Sequence, residues 1–303
     1  MIEHGLSLPT SGQRQAIPLT DGAGLPSTAD NYLSHFNLER NMKIPVYFVD
    51  AFSKGPFTGN PAAICPLKEW LPDSVMQSIA AEHNLSETAF VIPLGDDYHI
   101  RWFTPTVEVD LCGHATLAAA FVLFRSLPDV QQRISLFSRS GWLEVRRGEN
   151  GSLTLDFPDD PIIPIDVAPE ALVNGLGTDI IHVYKGKFDL LVVVGDQGTV
   201  TNLKPDLTLL GTLPARGIIV TAPGDDCDFV SRFFGPAAGV DEDPVTGSAH
   251  CTLTHYWHQQ TGRESFSARQ LSARGGWLHT CRVADRIHIS GSCNLYLEGS
   301  IHI

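Results

Sequence analysis

Two stretches of the chain can be laid on each other, and that constrains the fold more than any other feature. Cys112-Gly-His-Ala115 and Thr246-Gly-Ser-Ala249 each stand at the mouth of an apolar helical segment, just downstream of acidic residues. Gly113 is followed 29 residues later by Trp142, in Ser140-Gly-Trp-Leu143, and Gly247 is followed 30 residues later by Trp277, in Gly275-Gly-Trp-Leu278. One such match would be noise. Two at nearly the same separation argue for an internal duplication. The expected fold class is mixed α/β: two similar domains, each a bent sheet around a central helix, with the two helix mouths facing one cleft.

Length agrees, since the chain has 303 residues and single cores tend to split beyond ~250. Pro158, Pro161 and Pro164 make a stiff crossing, which divides a first domain, 42–160, from a second, 165–292. The C-terminal strand 293–303 is a candidate to complete the first. Residues 1–41 carry Pro9, Pro18 and Pro26 and no sustained period of 2 or 3.6. They read as a leader contributing little to the core; an arm packed on the body or on a partner is the other reading. Met42 precedes the first convincing strand, Lys43-Ile-Pro-Val-Tyr-Phe-Val-Asp50.

Local patterns supply the remaining elements. Pro72 and Asp73 start a helix that runs to residue 83, with Val75, Ile79 and Ala80 along one face. Strands are expected over 89–92, 98–103, 134–137, 142–146 and 152–157, then over 181–183, 190–194, 217–220, 229–234, 276–278, 286–289 and 294–298. Apolar helices follow the two glycine mouths, through 117–124 and roughly 251–259.

Composition excludes several function classes. Acidic residues outnumber basic ones 34 to 21, a formal charge of -13, whereas nucleic acids and anionic membranes need a basic footprint. There is no apolar run of ~20 residues that would span a bilayer. The six cysteines are scattered with no CxxC, so a disulfide scaffold is not indicated. A basic region followed by an apolar signal core is also missing from the first residues. A reducing, cytoplasmic compartment is therefore expected. Neither GxGxxG nor GxxxxGK[ST] occurs, so no nucleotide cofactor is expected. His250, His255 and His258 do not have the HExxH spacing, so no metal is assigned.

The chemistry concentrates at the two mouths. A helix N-terminus offers unpaired N–H groups and a positive dipole end. Gly113 and Gly247 leave those groups unshielded, so a small carboxylate held between them needs no Arg or Lys. Either glycine alone reads equally as a tight helix start; the matched pair favours anion binding. Glu87, in Asn84-Leu-Ser-Glu-Thr88 at the root of a buried strand, suits a general base, with helix capping or a surface ion pair as the plainer role. Asp243 is held extended by Pro244 and is either a fixed acid or a helix cap. His114 is either a proton carrier or a packed capping histidine.

Taken together, the motifs are recognisable. They are Val49-Asp-Ala-Phe52 with Phe57-Thr-Gly-Asn-Pro61, Asn84-Leu-Ser-Glu-Thr88, Arg101-Trp-Phe-Thr-Pro105, Asp110-Leu-Cys-Gly-His-Ala-Thr116 and Asp243-Pro-Val-Thr-Gly-Ser-Ala249. Through them Met42–Ile303 resembles the phenazine-biosynthesis PhzF-like family, which shares its duplicated fold with diaminopimelate epimerase. The resemblance implies a cofactor-free and usually homodimeric isomerase. It puts the proton-shuttling glutamate on Glu87 and the residues that hold and polarise the substrate on His114, Asp243 and Ser248, with backbone contacts from Gly113 and Gly247. The epimerase relatives use a thiol at each mouth. Here Cys112 occupies the first place and Thr246 the second, and a hydroxyl is too weak an acid to replace a thiolate. The resulting expectation is a cofactor-independent isomerase acting on a small carboxylate. A non-catalytic ligand-binding or interaction protein is the first alternative, and a two-base racemase or epimerase the second.

Overall fold

A computed structural model describes residues 42–128 and 131–303. The expectation for the leader, residues 1–41, lies outside them. The first part of the chain forms β1 (Lys43–Ala51), β2 (Asn60–Pro66), α1 (Asp73–His83), β3 (Glu87–Leu94), β4 (Asp97–Phe103), β5 (Glu108–Val109), α2 (Gly113–Phe124), β6 (Arg133–Ser138), β7 (Gly141–Arg147) and β8 (Leu153–Pro158). The rest forms β9 (Ile163–Pro164), α3 (Glu170–Leu176), β10 (His182–Lys185), β11 (Leu190–Val193), α4 (Gln197–Asn202), α5 (Leu207–Leu210), β12 (Ile218–Pro223) and β13 (Phe229–Phe234). It continues through α6 (Ala249–Thr261), β14 (Ser265–Gln270), β15 (Gly276–Val283), β16 (Arg286–Gly291) and β17 (Cys293–His302).

The strand pairings follow a repeated order. β1–β2 is antiparallel, β2–β3 parallel, β3–β4 antiparallel, β4–β6 parallel, and β6–β7 and β7–β8 antiparallel. From β10 the same senses recur: β10–β11 antiparallel, β11–β12 parallel, β12–β13 antiparallel, β13–β14 parallel, and β14–β15 and β15–β16 antiparallel. Parallel neighbours need long crossovers, usually helical. α1 and α2 fill the two crossovers of the first series; α4 with α5, and then α6, fill those of the second. Trp142 and Trp277 are each the second residue of equivalent strands, β7 and β15, paired with Phe137 and Arg269. β8 pairs with β16, and β17 returns to pair with β1.

Packing explains why α2 is apolar almost all round. Every residue of it except Phe121 is buried, and Leu117 and Ala118 sit in a core with Ile64, Trp102, Val145 and Phe157. Fully burying one such large side chain contributes ~1.5–3 kcal/mol, so this helix is held by its surroundings and not by intrinsic propensity. α6 instead presents Leu253, Tyr256 and Trp257 to Ile219, Phe229 and Phe266. A third apolar cluster packs α3 and α5, through Leu172, Leu176 and Leu210, on the other side of β10–β13. α1 begins after Pro72 with Asp73 in its first turn and ends where Asn84 turns left-handed, its N–H donating to the Ala80 carbonyl. Among the described residues, no helix is long and apolar enough to cross a membrane.

Candidate active site

The mouths of α2 and α6 meet. A Cβ placed on Gly113 would lie 3.7 Å from the Gly247 Cα and 3.3 Å from the ring of Phe157. A side chain on Gly113 would touch the Gly247 backbone at ordinary van der Waals distance and crowd the Phe157 ring. The expectation that both glycines begin helices needs one correction: Gly113 is the first residue of α2, but α6 begins at Ala249, with Ser248 as its N-cap. Gly247 instead forms the turn leading in. Its carbonyl accepts from the His250 N–H at 3.0 Å and that of Ser248 from the Cys251 N–H at 3.1 Å. A preceding anchor fixes this turn: the Thr246 N–H donates to Gln270 Oε1 at 2.8 Å.

Glu87 opens β3, opposite Ala62 of β2, and this register turns its side chain to the first helix mouth. Its Oε2 lies 3.0 Å from Nε2 of His114, the second residue of α2, and the two side chains are 18 % and 5 % exposed. The contact is close without being directed as a hydrogen bond, and neither atom has another protein hydrogen-bond partner. Burial alone would lower the proton affinity of the His114 imidazole; the negative charge available at Cys112 and Glu87 outweighs it and holds the ring well above its ordinary value. Glu87 supplies that charge near neutrality, because burial, reinforced by Glu87, pushes the Cys112 thiol up to about 11.

Asp243 approaches from the loop before α6. Its Oδ2 accepts from Thr246 Oγ1 at 2.5 Å and its Oδ1 from Asn60 Nδ2 at 2.7 Å. Gln270 Nε2 completes the frame, donating to the Asp243 carbonyl at 2.7 Å and to Thr246 Oγ1 at 3.2 Å. Burial raises the Asp243 carboxyl to about 6, helped by the charge on Glu87 and opposed by His114 and the two hydrogen bonds. The group therefore titrates near neutrality, where acid–base residues are effective. Ser248 stands slightly apart, its hydroxyl accepting from Arg216 Nη2 at 3.0 Å, while Arg216 also grips the buried Asp189.

Other arrangements considered from the sequence can now be placed. His250 donates from Nδ1 to the Thr246 carbonyl, His255 faces Asp159, and His258 faces the Arg263 carbonyl. The three do not converge. Among the described residues, Glu87, Cys112 and His114 bring one donor atom each within 4.8 Å of one another. A metal there would have to ionise the Cys112 thiol, which burial holds protonated in the metal-free protein. A surface cavity of about 540 Å³ is lined by Gly177, Asp196, Thr199, Asn202 and Lys204 among others, and a second, of about 240 Å³, by Asp97, Trp142, Glu144, Asp156 and Arg286 among others. Neither includes Glu87, His114 or Asp243. The side chains that sequence reasoning passed over are Asn60, Thr246 and Gln270. Asn60 had a visible signal, its place in Phe57-Thr-Gly-Asn-Pro61, but nothing local assigned it a task.

Comparison with known proteins shows the family and the fold. The family profile described as "Phenazine biosynthesis-like protein" matches residues 49–299. A protein of Pseudomonas aeruginosa described as an uncharacterized isomerase is 50 % identical over 262 residues, covering 86 % of this chain and 100 % of that protein. A crystal structure of a phenazine biosynthesis protein of the PhzF family from Enterococcus faecalis superposes with a TM-score of 0.83 at 45 % identity, covering 86 % of this chain and 100 % of that one. A predicted epimerase from Pseudomonas aeruginosa shares the fold alone, with a TM-score of 0.66 at 21 % identity, covering 85 % of this chain and 99 % of that one.

Proposed function

This chain belongs to the phenazine biosynthesis-like (PhzF) family, with its diaminopimelate-epimerase-like fold, and from that membership we propose that Glu87 is the group that carries a proton between two positions of a small carboxylate-bearing substrate. The protein is an isomerase-type enzyme, and a cofactor-independent isomerase or epimerase reaction fits the family. The observation that carries the proposal is the pair of buried, otherwise unpartnered atoms, Glu87 Oε2 and His114 Nε2, 3.0 Å apart beside the two helix mouths. An unshared carboxylate oxygen next to an imidazole is a proton acceptor with somewhere to place the charge it gains or loses.

In the proposed reaction Glu87 takes a proton from an activated C–H. The electron pair of that bond enters the substrate's conjugated system, and Glu87 returns the proton to a different atom of the same molecule. Nothing is oxidised or reduced overall. The N–H groups at the mouths beside Gly113 and Gly247 hold the substrate carboxylate, while His114, Asp243 and Ser248 orient the substrate and meet the developing negative charge. The body is read as two halves, 42–160 completed by 293–303, and 165–292. The recurring order of strand pairings and the pairing of β17 with β1 support that reading. A homodimer in the cytoplasm is the accompanying expectation. Two-thiol racemisation has no support, because Thr246 stands where a second thiol would be needed.

Solvent deuterium incorporation tests the proposal, once screening of small cyclic or α-substituted carboxylates finds a substrate. Wild type should exchange deuterium into product, and Glu87→Gln should lower turnover by at least ~10²-fold while ligand affinity changes little. Full activity in Glu87→Gln would remove Glu87 from the role.

A further inference from the structure

Asn60 is fully buried, and its side chain meets residues far away along the chain. Nδ2 lies 2.7 Å from Asp243 Oδ1, 2.9 Å from the Val245 carbonyl oxygen and 3.1 Å from His114 Nδ1. On its other side Oδ1 accepts from Ser86 Oγ at 3.2 Å, and Ser86 is the residue before Glu87. The Asn60 loop is itself rigidly placed. Arg274 donates to the Gly59 carbonyl at 2.9 Å and to Asp50 at 2.7 Å, and the Gly59 N–H donates to the Gly275 carbonyl at 2.7 Å. Gly59 is left-handed, φ +79°, and a Cβ there would strike the Ala51 carbonyl oxygen at 2.3 Å.

These contacts fix the amide orientation by elimination. The Val245 carbonyl and the Asp243 carboxylate are acceptors, so a flipped amide would set oxygen against two oxygens; an NH₂ there satisfies both. His114 Nδ1 therefore faces an NH₂. Its other polar neighbour is Cys112 Sγ at 3.5 Å, a buried thiol whose S–H can donate to a bare nitrogen and whose sulfur is only a weak acceptor. An N–H at Nδ1 would point at the Asn60 NH₂ with only that weak acceptor beside it, which favours the lone pair on Nδ1 and the proton of the neutral imidazole on the other nitrogen.

We propose that Asn60 is a positioning residue that sets the tautomer of His114, keeping the proton on Nε2, the nitrogen that faces Glu87, and the lone pair on Nδ1. Its value for catalysis rests on the reading of Glu87 as the proton carrier. In that setting His114 offers Glu87 and the substrate a ready N–H donor, and no tautomeric shift is needed before each turnover. The tautomer is a property of the ligand-free protein once His114 has lost its extra proton, and needs no substrate.

The test is a long-range ¹H–¹⁵N NMR spectrum of uniformly ¹⁵N-labelled full-length protein, without ligand, above the pH at which His114 becomes neutral. His114 is assigned among the 12 histidines by its loss in His114→Gln. Wild type should show His114 with Nε2 protonated and Nδ1 bare. Asn60→Ala, which removes the donor, should lose that preference and give a mixture. Asn60→Leu keeps the volume without any polar group and should lose the preference likewise; the wild-type spectrum carries the test if neither variant folds. An Nδ1-protonated ring in wild type, or unchanged His114 signals in both variants, would overturn the proposal. Neither result touches the deuterium test of Glu87, so failure here and failure there are distinguishable.

Discussion

His114 Nε2 and Glu87 Oε2 lie 3.0 Å apart, coupling the first turn of α2 to the first residue of β3. At that distance a charge on Glu87 bears directly on the protonation of His114. Burial acts to lower the proton affinity of His114, and the negative charge beside it raises it further than burial depresses it. Glu87→Gln removes the charge and keeps the shape. The His114 titration midpoint, followed by NMR, should fall in Glu87→Gln relative to wild type. A midpoint that stays put would mean that the two side chains do not form a pair in solution.

Asp243 makes a second pH-dependent prediction. Its carboxyl is raised to about 6 in the folded chain, mainly by burial, against ~3.9 for an unperturbed aspartate. The folded state therefore binds more protons than the unfolded state between those values, and stability from this group is lost as pH rises from about 4 to 6. Asp243→Asn should flatten that part of the curve of urea unfolding free energy against pH. It should leave the molecule no less stable at pH 7.5 than loss of the Thr246 hydrogen bond to a charged carboxylate accounts for, ~1.5–3 kcal/mol. An unchanged slope between pH 4 and 6 would assign the dependence to other groups.

Much of this frame was legible in the sequence, and the parts that were not share a physical reason. The helix after Gly113 stood out as a long apolar run behind a glycine, and the one after Gly247 by its matching place before a tryptophan strand. The paired tryptophans fell on equivalent strands because spacing along a chain records strand order. The short helices α3, α4 and α5 went unread. They have seven, six and four residues, too few for an apolar period to emerge. Their capping was nonetheless written locally, since Asp196 accepts from the Thr199 N–H and Asp206 from those of Thr208 and Leu209. Glu87, His114 and Asp243 could be nominated from neighbouring residues. Asn60 could not, because the partners that define it lie 54, 183 and 185 positions away.

The contact between the helix mouths makes Gly113 a sensitive position. In Gly113→Ala the new methyl would stand 3.3 Å from the Phe157 ring and 3.7 Å from Gly247, and overpacking of this kind costs ~1–3 kcal/mol. The variant should fold, with a thermal midpoint lower by roughly 2–12 °C, taking ~2–4 °C per kcal/mol for a chain of this size. Its affinity for a carboxylate ligand should fall more than that of Gly177→Ala, a change at a left-handed position on the rim of the larger surface cavity. Equal affinities in the two variants would separate the helix mouths from carboxylate binding.

The last prediction concerns Cys112, the residue that invites a thiol mechanism. It stands at the N-terminus of α2, 3.5 Å from His114, a place where a thiol is often a reactive nucleophile. Electrostatics argues otherwise. Burial, with the charge on Glu87, pushes its thiol up to about 11. Nucleophilic reactivity follows the thiolate, so at pH 8 roughly a hundred-fold less of Cys112 is ionised than of a free cysteine. Iodoacetamide labelling with peptide mass spectrometry should therefore modify Cys112 at least ~100-fold more slowly than free cysteine, and more slowly still because the sulfur is shielded. Cys112→Ala removes only a weak S–H donor to His114 Nδ1, which Asn60 also serves. It should keep the deuterium exchange of the wild type while Glu87→Gln loses it. Rapid alkylation of Cys112 accompanied by loss of exchange would transfer the proton chemistry from the carboxylate to the thiol.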